Sequence, residues 1–153
     1  MTDTKTANAY LKTRVMTASP EELRLLLLDG SIKFAYQART GLQRRDHEMT
    51  YLGFSQCRDI VLELLNTIRV EPAPEIARAV QELYTFMYGE LVKASIDKDI
   101  ARLDEVIELL EYERETWVMA IERAADEREA GMATALGSGT GTGPERKPIS
   151  FQA

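Results

Sequence analysis

The chain has 153 residues, 44% hydrophobic and 29% charged, enough for one soluble domain with a real core and no obvious second one. Its net charge is −6, and since residues 131–153 hold only Glu145, Arg146 and Lys147 as charged groups, the body is more acidic still, which disfavours nucleic acid and anionic lipid as partners. A single cysteine, Cys57, excludes an intrachain disulfide, and no stretch approaches the ~18–20 apolar residues of a membrane span, so no membrane insertion is expected.

The opening Met1-Thr2-Asp3-Thr4-Lys5-Thr6 is polar and lacks the apolar stretch of a signal peptide, which predicts a cytoplasmic protein. Ala9, Tyr10, Leu11, Val15 and Met16 follow, apolar enough to lie over a helical body as a short N-terminal capping segment. The first long helix has a clear start: Ser19 caps it, Pro20 suits the first helical position, and Glu22 completes a capping box, placing the helix at about 20–45. Within it Leu25, Leu26, Leu27 and Leu28 sweep about 300° of the circumference at ~100° per residue, more than one core can cover. A further segment, subunit or partner helix must lie against them.

A second helix is expected from Asp46 or His47 to Thr67, with Cys57, Val61, Leu64 and Ile68 at 3–4 spacing. Cys57 stands among Ile60, Val61 and Leu64, which reads as a small core residue rather than a reactive thiol. Glu71-Pro72-Ala73-Pro74 interrupts the pattern, because an internal proline removes a backbone donor. The third helix runs from about Pro74 to Ser95. Asp97-Lys98-Asp99 then supplies a turn and a capping carboxylate for a fourth, about 100–128, with Leu103, Ile107, Leu110, Trp117 and Ile121 as its stripe. Four long helices with short connections predict an all-α, antiparallel four-helix bundle over 1–130. The glycine-rich segment after Ala130 predicts a disordered tail, 131–153.

Catalytic and metal chemistry finds little support. His47 is the sole histidine and has no Glu three residues before it, which excludes the paired Glu-x-x-His motif of di-metal bundles, and it stands among Arg44, Arg45, Asp46 and Glu48 as a solvated helix end. The tail glycines lack the Gly-Lys-Ser/Thr of a phosphate loop. Neither enzymatic activity nor any cofactor or metal is expected. Asp104, Glu108, Glu111 and Glu115 form an acidic ridge, read as a solvated face or a docking face for a basic partner. Arg114 falls on the apolar stripe itself, where it must snorkel or pair with a carboxylate or carbonyl. Excess apolar surface is the more informative signal. Tyr10, Leu11, Val15, Leu25, Leu28, Phe54, Leu62, Leu65, Tyr84 and Tyr88 are the candidate partner-binding residues, forming a groove for an amphipathic helix or the N-terminal cap over it, with core packing as the competing reading of each.

Tyr10, Val15, Thr17-Ala18-Ser19-Pro20, Leu23, Leu27, Asp29-Gly30 and Phe34 together resemble the opening signature of the flagellar export chaperone family FliS. The resemblance continues through Leu64, Asn66, Leu83-Tyr84, Met87, Asp99, Leu103, Val106, Leu109-Leu110 and Arg114-x-x-Trp117, covering about residues 7–125. One departure is Leu28, where the family usually has Tyr before Asp-Gly; this alters a hydrogen bond near the groove without moving the fold. The resemblance implies a bundle that binds the C-terminal helical segment of flagellin in the cytosol, prevents premature polymerisation and delivers the subunit to the type III export apparatus. Export-gate components or flagellar regulators are further partners it suggests, for a protein that is monomer or dimer. The alternative is a structural or self-associating helical adaptor.

Overall fold

In a computed structural model of the chain, residues 2–142 are described, with side chains for 5–137. They form five helices and, among the described residues, no strand: α1 (Thr2–Thr17), α2 (Pro20–Arg44), α3 (His47–Asn66), α4 (Pro74–Asp97) and α5 (Ile100–Thr142). The chain divides into two compact units, Met1–Trp117 and Val118–Ala153.

Helix starts in the first unit follow local chemistry. The Ser19 hydroxyl accepts from the Glu22 amide at 3.2 Å while the Ser19 amide donates to the Glu22 carboxylate at 3.4 Å, closing the expected capping box. Asp46 caps α3 through the Met49 amide, and Asp99 caps the start of α5 through the Arg102 amide. α4 has no side-chain cap and begins on Pro74, whose missing N–H would be unsatisfied there in any case.

One core joins α2, α3, α4 and the first turns of α5. Leu28, Ala35 and Ala38 meet Phe54, Cys57, Val61 and Leu64, with Tyr84, Met87, Leu91, Leu103, Val106 and Leu110 closing the other side. Small residues let α2 and α3 touch backbone to backbone. A methyl group built on Gly53 would stand 2.5 Å from the Ala38 nitrogen and 2.8 Å from the Phe34 carbonyl, and one on Gly41 would stand 2.6 Å from the Thr50 nitrogen. α5 lies farther from its neighbours, reaching them through long side chains that also record its direction. Arg39 pairs with Asp104 at 2.6 Å, Tyr36 with Glu111, Asp29 with Arg114, and the Glu21 carbonyl with Trp117, so residue numbers fall along α2 as they rise along α5. α4 meets α5 in the same antiparallel sense through Glu90 with Arg102 and Tyr84 with Glu113.

Two expectations are corrected. The helices number five rather than four, because the N-terminal segment is itself a helix, and as residues 5–17 are all exposed it does not cap the body. α1 shows no apolar periodicity; it is held by backbone bonds and by threonines that bond back one turn, Thr13 to the Ala9 carbonyl and Thr17 to the Thr13 carbonyl. The disordered tail does not begin at 131, since residues 131–142 continue α5, and 143–153 lie outside the described residues. Gly131 is tolerated there because a lone glycine costs a helix only ~1 kcal/mol. In the second unit, Val118, Ile121 and Ala125 are half-buried and the other described side chains are exposed.

Candidate functional site

Any site on this fold has to be assembled from side chains that the core leaves over. Among the described residues no group of His, Cys, Asp or Glu is placed to hold a metal ion, and no helix is long and apolar enough to cross a membrane. Burial pushes the Cys57 thiol up to about 12, against a lesser opposing effect from Arg58, so it is a protonated core group at neutral pH.

The ten candidate binding residues separate into three sets. Leu28, Phe54 and Tyr84 are fully buried and face the core rather than any surface. Leu25, Leu65 and Tyr88 are half-buried, the last two packed against the core cluster. Tyr10, Leu11, Val15 and Leu62 are exposed, Tyr10 at 65% and Leu62 at 43%. Leu25 and Leu26 stand at the same level as Leu62 and Leu65, because Arg24 bonds Thr67 across α2 and α3 and Gly30 approaches Ile60. Leu25 and Leu26 are the half-buried part of the run that one core could not cover, and Leu62 beside them is exposed.

A polar cluster fixes this end of the body. The Arg24 guanidinium lies 5.4 Å from the Tyr84 ring and 5.2 Å from the Trp117 ring, and donates to the Tyr84 hydroxyl at 3.1 Å. Tyr84 in turn donates to Glu113 at 3.1 Å. Burial raises its phenol well above the ordinary range, Arg24 opposing and Glu113 reinforcing, so it stays neutral. Trp117 donates to the Glu21 carbonyl at 3.0 Å, tying α5 to the first turn of α2. Arg114 pairs with Asp29, which explains a cation on an apolar stripe and gives the Asp of the Asp29-Gly30 motif its partner.

Sequence reading missed a second surface, a groove of about 390 Å³ between α4 and α5. Phe86 and Glu90 form one wall and Glu105, Val106, Glu108, Leu109 and Tyr112 the other. Phe86 is 54% and Tyr112 67% exposed. Tyr112 stands one turn from Leu109 outside the main stripe, a signal visible in the sequence but hidden by its neighbours Glu111 and Glu113. At ~100° per residue, Phe86 and Tyr88 are separated by ~200°, so they flank opposite sides of α4 and belong to different surfaces.

Comparison with known proteins adds to this geometry. Residues 3–124 match the family model described as flagellar protein FliS. The flagellar secretion chaperone FliS of Bacillus subtilis is 31% identical over 120 residues, 78% of this chain and 89% of that one. Flagellar secretion chaperones FliS of Salmonella typhimurium (30% identical over 112 residues, 72% of this chain, 83% of the relative) and Vibrio cholerae (26% over 113 residues, 71% and 83%) are also similar.

Proposed function

The chain belongs to the FliS family of flagellar proteins, and we propose that it is a cytosolic, non-catalytic export chaperone that holds the C-terminal helical segment of flagellin. In this reading it prevents premature polymerisation and delivers the subunit to the flagellar type III export apparatus. The observation that carries it is the family match over residues 3–124, which includes every residue of the core. The apolar remainder on α2, α3 and α4 supports it physically: Leu25, Leu62, Leu65 and Tyr88 are apolar side chains that the core leaves wholly or partly uncovered, as contact with an amphipathic helix requires.

Titration calorimetry of the full chain with the C-terminal segment of flagellin, at several temperatures, tests the proposal. Burial of apolar surface predicts a negative heat-capacity change and binding that survives moderate salt. Leu62→Asp, on an exposed position, should weaken binding roughly tenfold or more by placing a charge in the contact. Absence of binding, or binding lost to moderate salt alone, overturns the reading.

A further inference from the structure

We propose that the groove between α4 and α5 docks a basic amphipathic helix of a partner protein, on a face separate from the one proposed for flagellin. The groove combines an apolar floor with uncompensated acid. Phe86, Val106, Leu109 and Tyr112 line it, and Phe86 and Tyr112 are each more than half exposed. Of its carboxylates, Glu90 is nearly buried and neutralised by Arg102 at 2.7 Å and Lys93 at 3.6 Å. Glu105 and Glu108 on α5 are exposed and hold no ion pair among the described residues, and the same is true of Glu82, one turn before Phe86 on α4. Lys93 and Arg102 are thus committed to Glu90, while Glu82, Glu105 and Glu108 stand around an open apolar floor and select lysine or arginine.

A glycine beside the groove points to a helix as the occupant. Glycine weakens a helix interior, which a fold tolerates most readily where the absent side chain gives room to a neighbour. Gly41 and Gly53 have such neighbours: an added methyl group would stand within 3 Å of the Thr50 or Ala38 backbone on the facing helix. Gly89, inside α4, meets nothing within 4 Å, so the packing of this chain makes no use of the room. It lies one turn beyond Phe86 and ~60° round the helix from it. Glu90 with Arg102 and Tyr84 with Glu113 mark the stretch where α4 faces α5, which sets Gly89 and Glu105 toward one end of the groove and Tyr112 toward the other. A helix laid over Phe86 passes Gly89 on one edge and Glu105 and Glu108 on the other. Its backbone can there approach α4 as closely as α2 and α3 approach each other. Tyr88, on the face proposed for flagellin, is ~200° from Phe86, so both faces can be filled together. That arrangement makes the chain an adaptor that joins its client to a second protein.

The probe is a dye-labelled synthetic helix of about 15 residues with leucines on one face and lysines along its edges, and the control carries glutamate for each lysine. Fluorescence anisotropy with the full chain and no flagellin keeps the result independent of the flagellin reading. The lysine helix should bind, less tightly as salt rises, and the glutamate helix should bind at least roughly tenfold more weakly. Glu105→Lys with Glu108→Lys should weaken the lysine helix by roughly tenfold or more, whereas Asp59→Lys with Glu63→Lys, the same charge change at exposed positions of α3, should leave it within about twofold. Gly89→Gln is the sharper test, because it should stabilise α4 in urea unfolding and yet weaken the peptide by roughly tenfold. Circular dichroism checks that each variant is folded. Saturation with the C-terminal segment of flagellin should leave probe binding unchanged. Absence of binding, equal losses from the two charge reversals, a neutral Gly89→Gln or displacement by flagellin overturns the proposal. A second copy of the chain in the groove would show as an isotherm that falls away at high chain concentration, and overturns it equally.

Discussion

Two glycines on neighbouring helices should respond in opposite directions to the same change. Gly89 has nothing within 4 Å of an added methyl group, so Gly89→Ala should stabilise by about 0.5–1 kcal/mol through helix propensity. At Gly53 the methyl group would meet α2 backbone atoms that have no rotamer with which to yield, and Gly53→Ala should destabilise by about 1–3 kcal/mol despite the same propensity gain. Urea unfolding measures both; a neutral Gly53→Ala would mean that the α2–α3 backbone contact is not tight. Cys57 carries a second prediction at this scale. Its folded thiol is raised from 9.0 to about 12, chiefly by burial. The unfolded chain therefore loses this proton first, and the Cys57 contribution to stability is complete below pH ~9 and declines as pH rises from there toward 12. At pH 8 a thiol reagent should modify the native chain at least roughly a hundredfold more slowly than the urea-unfolded one, and equal rates would contradict its burial. Its neighbours Ile60, Val61 and Leu64 made this core position readable from the sequence, because helical spacing of apolar residues reports burial directly. No such local pattern marks the contact partner of Gly53, since Phe34 and Ala38 come from another helix.

At the level of the helices, legibility followed local signals. The capping box at Ser19, the break at Pro72 and Pro74 and the capping carboxylate at Asp99 act within a few residues, and the structure has helix boundaries at each. α1 and the far part of α5 lack such signals. Threonine is the commonest residue of α1, whose apolar side chains follow no helical period, and glycine punctuates α5 beyond Ala130, so neither presents a stripe whose burial demands a helix. Different consequences follow for the two kinds of element. Ser19→Ala removes a cap from a helix that packs into the core, and should cost ~1 kcal/mol in urea unfolding. Deleting residues 131–153 removes the helical residues 131–142, of which 131–137 are exposed, so ellipticity should fall while the unfolding midpoint stays in place. A lowered midpoint would show that this segment contributes contacts to the folded body.

For the whole molecule, the question is what α1 does when a client arrives. The sequence allowed two roles, a lid over the binding surface or a direct contact with the client, because apolar residues at Tyr10, Leu11 and Val15 serve either. Neither composition nor spacing separates them; only the placement of α1 relative to the other helices does. Leu28, Phe54 and Tyr84 show the same limit, since a periodic apolar residue reads alike whether it faces the core or a partner, and here all three face the core. With residues 5–17 exposed and Leu62 uncovered, α1 hides none of the apolar remainder, which favours direct contact. Tyr10→Ala should then weaken flagellin binding by about 1–2 kcal/mol, roughly tenfold, as truncation of an aromatic anchor does, and deletion of 1–17 should weaken it at least as much. A lid would give the opposite sign, because removing it exposes the surface to the client and tightens binding while making the free chain more prone to aggregate. Labelled flagellin peptide titrated into the full chain, the deletion and Tyr10→Ala reads that sign directly: weaker binding with unchanged solubility supports contact, and tighter binding with poorer solubility establishes the lid.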